Sequence, residues 1–330
     1  MGDLRSTEAD HRCGRRLRSG SAAGPGVKPA FRGGPAHVRV PATSANLGPG
    51  FDALGLALAL HDDVVARVGE DGLQIDIAGQ GADLARDETH LVVRAMRRVF
   101  GRLGGQPRGI ELSCANRIPH SRGLGSSGAA IVAGVMLARA LVLGGERALP
   151  DDELLALAAE IEGHPDNIAA CLLGGLTVAW TEHGAARAVR LDCDPAITPV
   201  VLVPASSAST QQARDLLPRT VPHEDAAFAA GRAALLIAAL TGSPQALVAA
   251  TEDRLHQRYR GPGMPQSMQM VSSLRDAGLA AVISGAGPSV LVLARNDDEV
   301  ARVAALAPQE WECTPLAVDA TGAHVVPSAP

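Results

Sequence analysis

Aromatic residues are scarce in this 330-residue chain: Phe, Trp and Tyr together make up 2% of it. Its core must therefore be assembled from Ala, Val and Leu, which dominate the 46% of residues that are hydrophobic. Long apolar runs are missing too. None reaches the roughly 18 residues that a membrane-spanning helix needs, and the best candidates are broken by Gly, Arg or Asp. The five cysteines (Cys13, Cys114, Cys171, Cys193 and Cys313) never form a C-x-x-C pair. That argues against a zinc site and a disulfide framework, and points to a reducing, cytoplasmic setting. An excess of positive charge is also absent. With a formal net charge of −5, the chain lacks the basic surface needed to neutralise a nucleic-acid backbone. Composition leaves a globular protein, 20% charged, long enough for one large domain or two ordinary ones. Nucleic acid and membrane are both excluded as expected partners.

The first 36 residues differ from the rest. Arg5, Arg12, Arg15, Arg16, Arg18, Lys28 and Arg32 stand against Asp3, Glu8 and Asp10, with frequent Gly, Ser and Pro and no apolar periodicity. Such a segment cannot bury enough surface to offset its ordering entropy, so residues 1–36 read as a disordered extension. Its acidic residues argue against an organelle-targeting peptide, and it has no secretory apolar region.

From His37 the pattern is ordered. "HVRVPA" alternates like a strand and leads into a polar loop, "TSANLGPG"; "FDALGLALAL", "DDVVARV" and "LQIDIAG" read as three further strands. Residues 89–104 read as a helix with Thr89 as cap and Gly104 as stop, followed by the strand "GIELSCAN". A long helix, apolar on almost every side and hence buried, opens at "SSGAAIVAG". The helices "PDDELLALAAEIEG" and "DNIAACLLGG" and the strands "LTVAWTE" and "RAVRLD" complete this half. A Pro-flanked stretch near residue 196 marks a change of unit. Beyond it come a strand at 200–204 and helices near 209–218, 223–241, 244–256 and 265–277. "LAAVISGAGPSVLVLA" then reads as strand, tight turn and strand, bent at Gly285, Gly287 and Pro288, before a last helix at 297–306 and one or two closing strands. Strands and helices mix without regular β-α alternation. The expectation is an α+β fold of two lobes, 37–195 and 196–330.

The segment "NRIPHSRGLGSSGAAIVAG" (116–134) carries the chemistry. Gly123, Gly125 and Gly128 satisfy G-x-G-x-x-G, but a dinucleotide fingerprint belongs in the first β-α turn, with an acidic residue about 20 positions on at the end of a second strand. Here the match lies mid-chain and a helix occupies that later region. A Walker A loop fails for want of its lysine. The physics still favours an anion. Gly123 and Gly125 let the backbone turn tightly and bare its N–H groups, and Ser126 and Ser127 start a long helix whose N-terminus is positive. Arg122 is placed to add a charge at the rim.

"PHSRGLGSSGAA" (119–130) closely resembles the P-x-x-x-G-L-G-S-S-A-A loop of the GHMP kinases, with Gly128 in place of the usual alanine. "ISGAGPSVLVL" (283–293) resembles that family's C-terminal glycine motif. The resemblance implies a two-lobed fold, with a ribosomal S5 domain 2-like first lobe and a ferredoxin-like second lobe. It also implies ATP binding by Pro119, His120, Ser121, Arg122, Gly123, Leu124, Gly125, Ser126, Ser127, Gly128 and Ala129, with Gly285 and Gly287 alongside. Mg²⁺ would be held by Ser127 and Glu162.

Within the family, "VPATSANLGPGFDALGLAL" (40–58) is similar to the homoserine kinase branch, in which an Asn and an Asp six positions apart bind the substrate; here these are Asn46 and Asp52. "AAEIEGHPDNIAACLLGG" (158–175) resembles the same branch and supplies Glu162 for the metal, with His164, Asp166 and Asn167 near the substrate. In the second half, Thr210 and Arg214 share a helix face, and "EDRLHQRYRGP" brings Arg260, with Arg258 two places away. The resemblance implies that Thr210 approaches the site while Arg214 and Arg260 hold a carboxylate. Such a set suits a zwitterionic hydroxy-amino acid: Asp52 or Asp166 for the ammonium, and a guanidinium fork for the carboxylate. Asp166, Asn167, Thr210 and Arg214 are the expected catalytic residues, with L-homoserine as acceptor and no clear general base. The family often forms dimers, which makes a homodimer compatible with this chain. The rival readings are another small-molecule kinase of the family, acting on mevalonate-like or sugar alcohols, and an NAD(P)-dependent oxidoreductase.

Overall fold

A hairpin of two long strands, β1 (Ala36–Ala45) and β2 (Leu54–Gly69), is the spine of the first lobe in the computed structural model, which describes residues 29–327. Val38, Val40 and Ala42 of β1, and Leu56, Leu58, Val64 and Ala66 of β2, are buried in its core, as period-two alternation demands of a strand covered on one face. β1 continues through "TSA", so the loop begins at Asn46 rather than at Thr43. The two strands expected in 51–68 are one. Asp62 and Asp63 do not break it because both carboxylates find partners: Asp62 accepts the N–H groups of Arg117 and Ile118, and Asp63 pairs with Arg39 and Arg117.

β3 (Gly72–Gly79) and β4 (Gly109–Asn116) run parallel, and β4 pairs with β2. β5 (Leu176–Glu182) pairs with the start of β2 and carries β6 (Ala185–Leu191) outside it. Helices α1 (Leu91–Arg102), α2 (Ser126–Leu141), α4 (Asp151–Glu162) and α5 (Asp166–Leu173) pack in this lobe, with α3 (Gly145–Ala148) a single turn. α2 is buried along most of its length, and its Gly134 lets α1 come close: a Cβ there would lie 2.5 Å from the Val92 carbonyl. Small residues at helix contacts take the place of the missing aromatics. Thr89 does not cap α1. The helix starts behind His90, and the Thr89 hydroxyl donates to Asp87 instead.

The second lobe is an antiparallel sheet of β7 (Thr198–Val203), β8 (Ala281–Ile283), β9 (Val290–Ala294) and β10 (Glu312–Pro315), in spatial order β10-β7-β9-β8. With α10 (Pro265–Asp276) and α11 (Asp297–Leu306) as its crossing helices, this is the ferredoxin-like β-α-β-β-α-β pattern. The strands read as unbroken apolar runs because both faces are covered. Val200, Leu202, Val290 and Val292 join Met270, Leu274 and Val303 of the crossing helices. Val201, Leu291 and Leu293 face Leu236 and Leu240 of α7 (His223–Thr241) and belong to the core of the first lobe. One apolar core thus runs through both lobes.

α6 (Thr210–Asp215), α8 (Leu247–Ala250) and α9 (Gln257–Arg260) are short. The helix expected over 244–256 ends at Ala250, because the Asp253 carboxylate takes the N–H groups of Leu255, His256 and Gln257 and turns the chain. The expected division of the chain is crossed at both ends. Of the extension, residues 1–28 lie outside the described residues. Just before β1, Phe31 packs edge-on against Phe100 and Arg32 N–H donates to the Leu141 carbonyl, so this stretch is tied down by an apolar anchor. The end of the second unit returns to the first lobe, where β11 (His324–Val325) pairs with β1 and Asp319 exchanges backbone hydrogen bonds with Ala57 and Gly175.

Candidate active site

The glycine loop rises from β4 to α2 with Gly123 at φ +77° and Gly125 at φ +71°. Both positions exclude a side chain by space as well as by dihedral. A Cβ on Gly125 would lie 1.9 Å from Thr43 Oγ1, and one on Gly123 2.2 Å from the Ser284 carbonyl. Gly125 is the N-cap of α2 and offers no side-chain cap, so the N–H groups of the first turn have no intrahelical partner and sit at the positive end of the dipole. The loop is stitched to the second lobe: Ser284 Oγ donates to the Gly123 carbonyl at 2.7 Å, and Ser289 N–H to the Arg122 carbonyl at 3.2 Å.

A cavity of about 310 Å³ gathers residues that the sequence scatters widely: Gly123, Gly125, Ser126 and Ser127; Asn46 and Asp52; Glu162, His164, Asp166 and Asn167; Thr210 and Arg214; Arg260 and Gly285. Ser127 Oγ donates to Glu162 Oε2 at 2.7 Å, which joins the two oxygens expected at a metal. His164 Nδ1 lies 2.8 Å from Asp166 Oδ1, and its Nε2 lies 3.9 Å from Glu162 Oε1. Burial opposes a charge on this ring, yet the hydrogen bond to Asp166 and the fields of both carboxylates prevail, so His164 titrates above its ordinary value. Asp166 Oδ1 also accepts the Asn167 N–H, and Asn167 Oδ1 accepts from Thr43 Oγ1 at 2.8 Å.

Asn46 is buried, with its amide nitrogen donating to the Gly285 carbonyl at 2.9 Å and its Oδ1 accepting the Asp52 N–H at 3.0 Å. It thereby holds Asp52 at φ +55°. Asp52 and Arg214, expected at opposite ends of a zwitterion, meet in a two-pronged ion pair of 2.8 and 3.0 Å. Arg260 is different. Only 2% exposed, its Nε donates to the Ala213 carbonyl and its Nη1 lies near the Gly285 carbonyl and His256 Nδ1, but no carboxylate among the described residues pairs with it. Burial, with the charge of Arg214, lowers its pKa. A buried cation without an anion is costly, and this one faces a cavity. Arg258 settles outside, bound to Asp225 at 2.6 Å.

Some expected loop contacts depart from this cavity. The guanidinium of Arg122 donates to the carbonyls of Pro204 and Ala205 at 3.1 and 2.7 Å and lines no part of it, because the neighbouring lobe supplies acceptors first. Pro119 is likewise absent from the lining. Leu124 is buried in the core, and Gly128 packs on Asn167, where a Cβ would sit 3.3 Å away. Gly287 serves its turn at φ +82° and packs on Met264. His120 and Ala129 line a second cavity, also about 310 Å³, which shares Ser121, Ser126 and Ser127 with the first. Its other walls include Val64, Leu84, Val92, Cys114 and His90, whose buried Nδ1 has no partner among the described residues. Burial lowers the pKa of His90 and His120 and raises the Cys114 thiol to about 12. Sequence reasoning did not single out Thr43 beneath Gly125, Ser284, or the pair Phe51 and His256. The rings of that pair stack at 5.1 Å beside Arg260.

No group of three or more His, Cys, Asp or Glu that could hold a metal occurs among the described residues, and no helix there is long and apolar enough to cross a membrane. Residues 90–175 match the GHMP kinases N terminal domain and residues 226–312 the GHMP kinases C terminal domain. The homoserine kinase of Streptomyces coelicolor is 62% identical over 302 residues, covering 91% of this chain and 97% of that protein. The crystal structure of homoserine kinase from Cytophaga hutchinsonii superposes with a TM-score of 0.76 at 26% identity, over 88% of this chain and 97% of that one. The L. major mevalonate kinase, at 16% identity and a TM-score of 0.63 over 89% and 99% of the chains, shares the fold alone. A shared fold does not choose between these acceptors; identity across both lobes does, and the chain belongs to the homoserine kinases of the GHMP kinase family.

Proposed function

We propose that this enzyme transfers the γ-phosphoryl group of ATP to the hydroxyl of L-homoserine, giving O-phospho-L-homoserine on the route to threonine, with the residue roles that follow. The uncapped start of α2 takes the phosphates, and the apolar second cavity beside Ser126 and Ser127 takes the nucleoside. The homoserine carboxylate goes to Arg260 and the outer edge of Arg214, and the ammonium to Asp52. Although Arg214 already occupies both oxygens of Asp52, a carboxylate retains further lone pairs. The hydroxyl then lies toward Asn167 and Thr210. Asp166 is committed to His164 and the Asn167 N–H, so it orients rather than abstracts. A dedicated base is dispensable here, since phosphoryl transfer depends mainly on positioning and charge neutralisation.

Ser127 and Glu162 fit Mg²⁺: one hydroxyl and one carboxylate suit a hard cation completed by phosphates and water, and would suit neither zinc nor a dedicated protein cage. When bound there, the ion would neutralise phosphate charge. The observation that carries the reading is the buried guanidinium of Arg260, without a carboxylate partner among the described residues, in the same cavity as the bare helix start. A coupled ADP-release assay over homoserine, threonine, mevalonate and galactose tests it. Homoserine should be preferred by at least about a hundredfold in kcat/KM: mevalonate and galactose lack one or both of the charges the site is built to hold, and threonine, which has both, carries its hydroxyl one carbon nearer to them and so out of line with the phosphate. Preference for any of the other three overturns the reading, as would a thermal shift with NAD(P) and none with ATP and Mg²⁺.

A further inference from the structure

His256 is fully buried at the start of α9, and its two ring nitrogens meet partners of opposite kinds. Nε2 lies 2.8 Å from the Gly48 carbonyl, which only accepts, so Nε2 carries the proton. Nδ1 lies 3.3 Å from Nη1 of Arg260, which only donates, so Nδ1 is bare. Both contacts therefore demand the same neutral tautomer. The ring also stacks on Phe51, whose face lies 5.1 Å from the Arg260 guanidinium and 5.8 Å from that of Arg214. Gly48 and Phe51 belong to the first-lobe loop that carries Asn46 and Asp52, whereas Arg260 comes from the second lobe. Of the three acceptors around Arg260, two are backbone carbonyls, and the imidazole is the one side chain. Nη2 has no protein partner among the described residues.

We propose that His256 is the positioning residue of the amino-acid site: by accepting from Arg260 and donating to the Gly48 carbonyl, its neutral imidazole aims the guanidinium at the substrate carboxylate and ties it to the loop that bears Asp52. This rests on the reading above that Arg260 takes the carboxylate. Protonation of Nδ1 would set an N–H against the Arg260 N–H and add a second positive charge in a dry pocket. The charged groups facing the ring are Asp253 on the turn before α9, Arg260 on α9 itself, Asp52 on the loop, and Arg214 across Phe51. Burial holds His256 below the ordinary histidine value against the pull of Asp253, and Arg260 pushes the same way. The arrangement is therefore intact at neutral pH and fails only in acid.

Two amide replacements separate the two ends of the ring. The side chain of His256→Asn places its oxygen near the position of Nδ1 and keeps the acceptor for Arg260. That of His256→Gln reaches the position of Nε2 and keeps only the donor to Gly48. His256→Gln should raise the homoserine KM about tenfold, the usual effect of losing a hydrogen bond to a charged group, with kcat and the ATP KM within about twofold. His256→Asn should recover most of that loss. Added to Arg260→Gln, the His256→Gln change should do nothing further, because both act through one guanidinium. A Gln variant equal to or better than the Asn variant, additive effects in the double variant, or kcat falling together with KM would each overturn the proposal. An Arg260→Gln enzyme with an unaltered homoserine KM would instead overturn the underlying carboxylate assignment. Should the variants not fold, ¹⁵N-histidine NMR of the unaltered enzyme decides: a neutral, Nε2-protonated His256 at pH 7 supports the role, and an imidazolium or an Nδ1-protonated ring rejects it.

Discussion

On the proposed assignment, the groups that meet a ligand at the phosphate end of the cavity are main-chain N–H groups from one stretch at the loop and the start of α2, whereas at the amino-acid end they are the side chains of Asn46, Asp52, Arg214 and Arg260, drawn from both lobes. The first end is a property of a backbone path. It survives exchange of many side chains, but not the addition of a Cβ where the path is left-handed and crowded. The second end is a property of assembly: each charge is placed by a different element, and removing one loosens its partner, as Arg214 and Asp52 are paired, while leaving the backbone path of the glycine loop in place. Substitutions should therefore fail in different ways at the two ends.

Gly125→Ala should do the most damage. A Cβ there would fall on Thr43 Oγ1, and an L-residue at φ +71° costs a further ~1–2 kcal/mol. A loss of at least about a thousandfold in kcat/KM toward both substrates follows if the N–H groups are displaced from the phosphates. Gly128→Ala, three residues on, meets Asn167 at 3.3 Å and needs no left-handed backbone, so it should stay within about threefold of the parent enzyme. Steady-state ADP release and calorimetric titration with ATP would read both, and an active Gly125→Ala enzyme would break the comparison at its root. Glu162→Gln comes next. Its side chain still accepts from Ser127 but lacks the charge, so kcat should fall about a hundredfold at limiting Mg²⁺ and recover in part at high Mg²⁺. An unchanged rate at limiting Mg²⁺ would remove the metal from this pair.

The amino-acid end should yield more selectively. Arg214→Ala removes both prongs of the Asp52 ion pair and one guanidinium of the cavity. The homoserine KM should rise about tenfold to fiftyfold while the ATP KM stays put. Arg214→Lys should recover little, because a point charge cannot replace a fork. If both KM values rose together, the two ends would have to be treated as a single unit.

The same contrast decides what the sequence made legible. The glycine loop could be read directly, because its turn residues, its serines and the helix they open are neighbours in the chain. Arg122 shows the limit of that reading. A loop arginine beside a phosphate site looks like a phosphate ligand until the carbonyls of Pro204 and Ala205 arrive from the other lobe. Arg258 and Arg260 could not be told apart for the same reason. α9 is one turn long, too short for periodicity to speak, and Arg260 is the inward one because Ala213 and Gly285 bring their carbonyls to it. The continuity of β2 through two aspartates was invisible because their partners, Arg39 and Arg117, lie elsewhere. Nothing in the sequence alone singles out His256. Only tertiary packing gives each of its nitrogens a role.

A change remote from both ends should move neither KM, and Asp63 offers the test. It sits on the first-lobe hairpin with Arg39 at 3.0 Å, His37 at 2.9 Å and Arg117 at 3.1 Å. Burial raises its pKa, but the hydrogen bonds from Arg39 and His37 outweigh that and bring it from 3.8 down to about 2. A folded-state pKa below the unfolded one stabilises the fold above the unfolded value, and that contribution disappears as pH falls from about 4 through about 2. A shift of this size would amount to about 2 kcal/mol among dry groups. Arg39 and Arg117 are largely in solvent, which reduces it to about 1 kcal/mol. Asp63→Asn should therefore lower unfolding free energy by about 1 kcal/mol at pH 7 in urea titrations, with the difference closing toward pH 2. Its kinetics with ATP and homoserine should match the parent. A stability gap that persists at pH 2 would mean that packing, not charge, holds this corner of the sheet. An altered KM would mean that the hairpin transmits strain into the loop at Asn46, and that the amino-acid end is less modular than its geometry suggests.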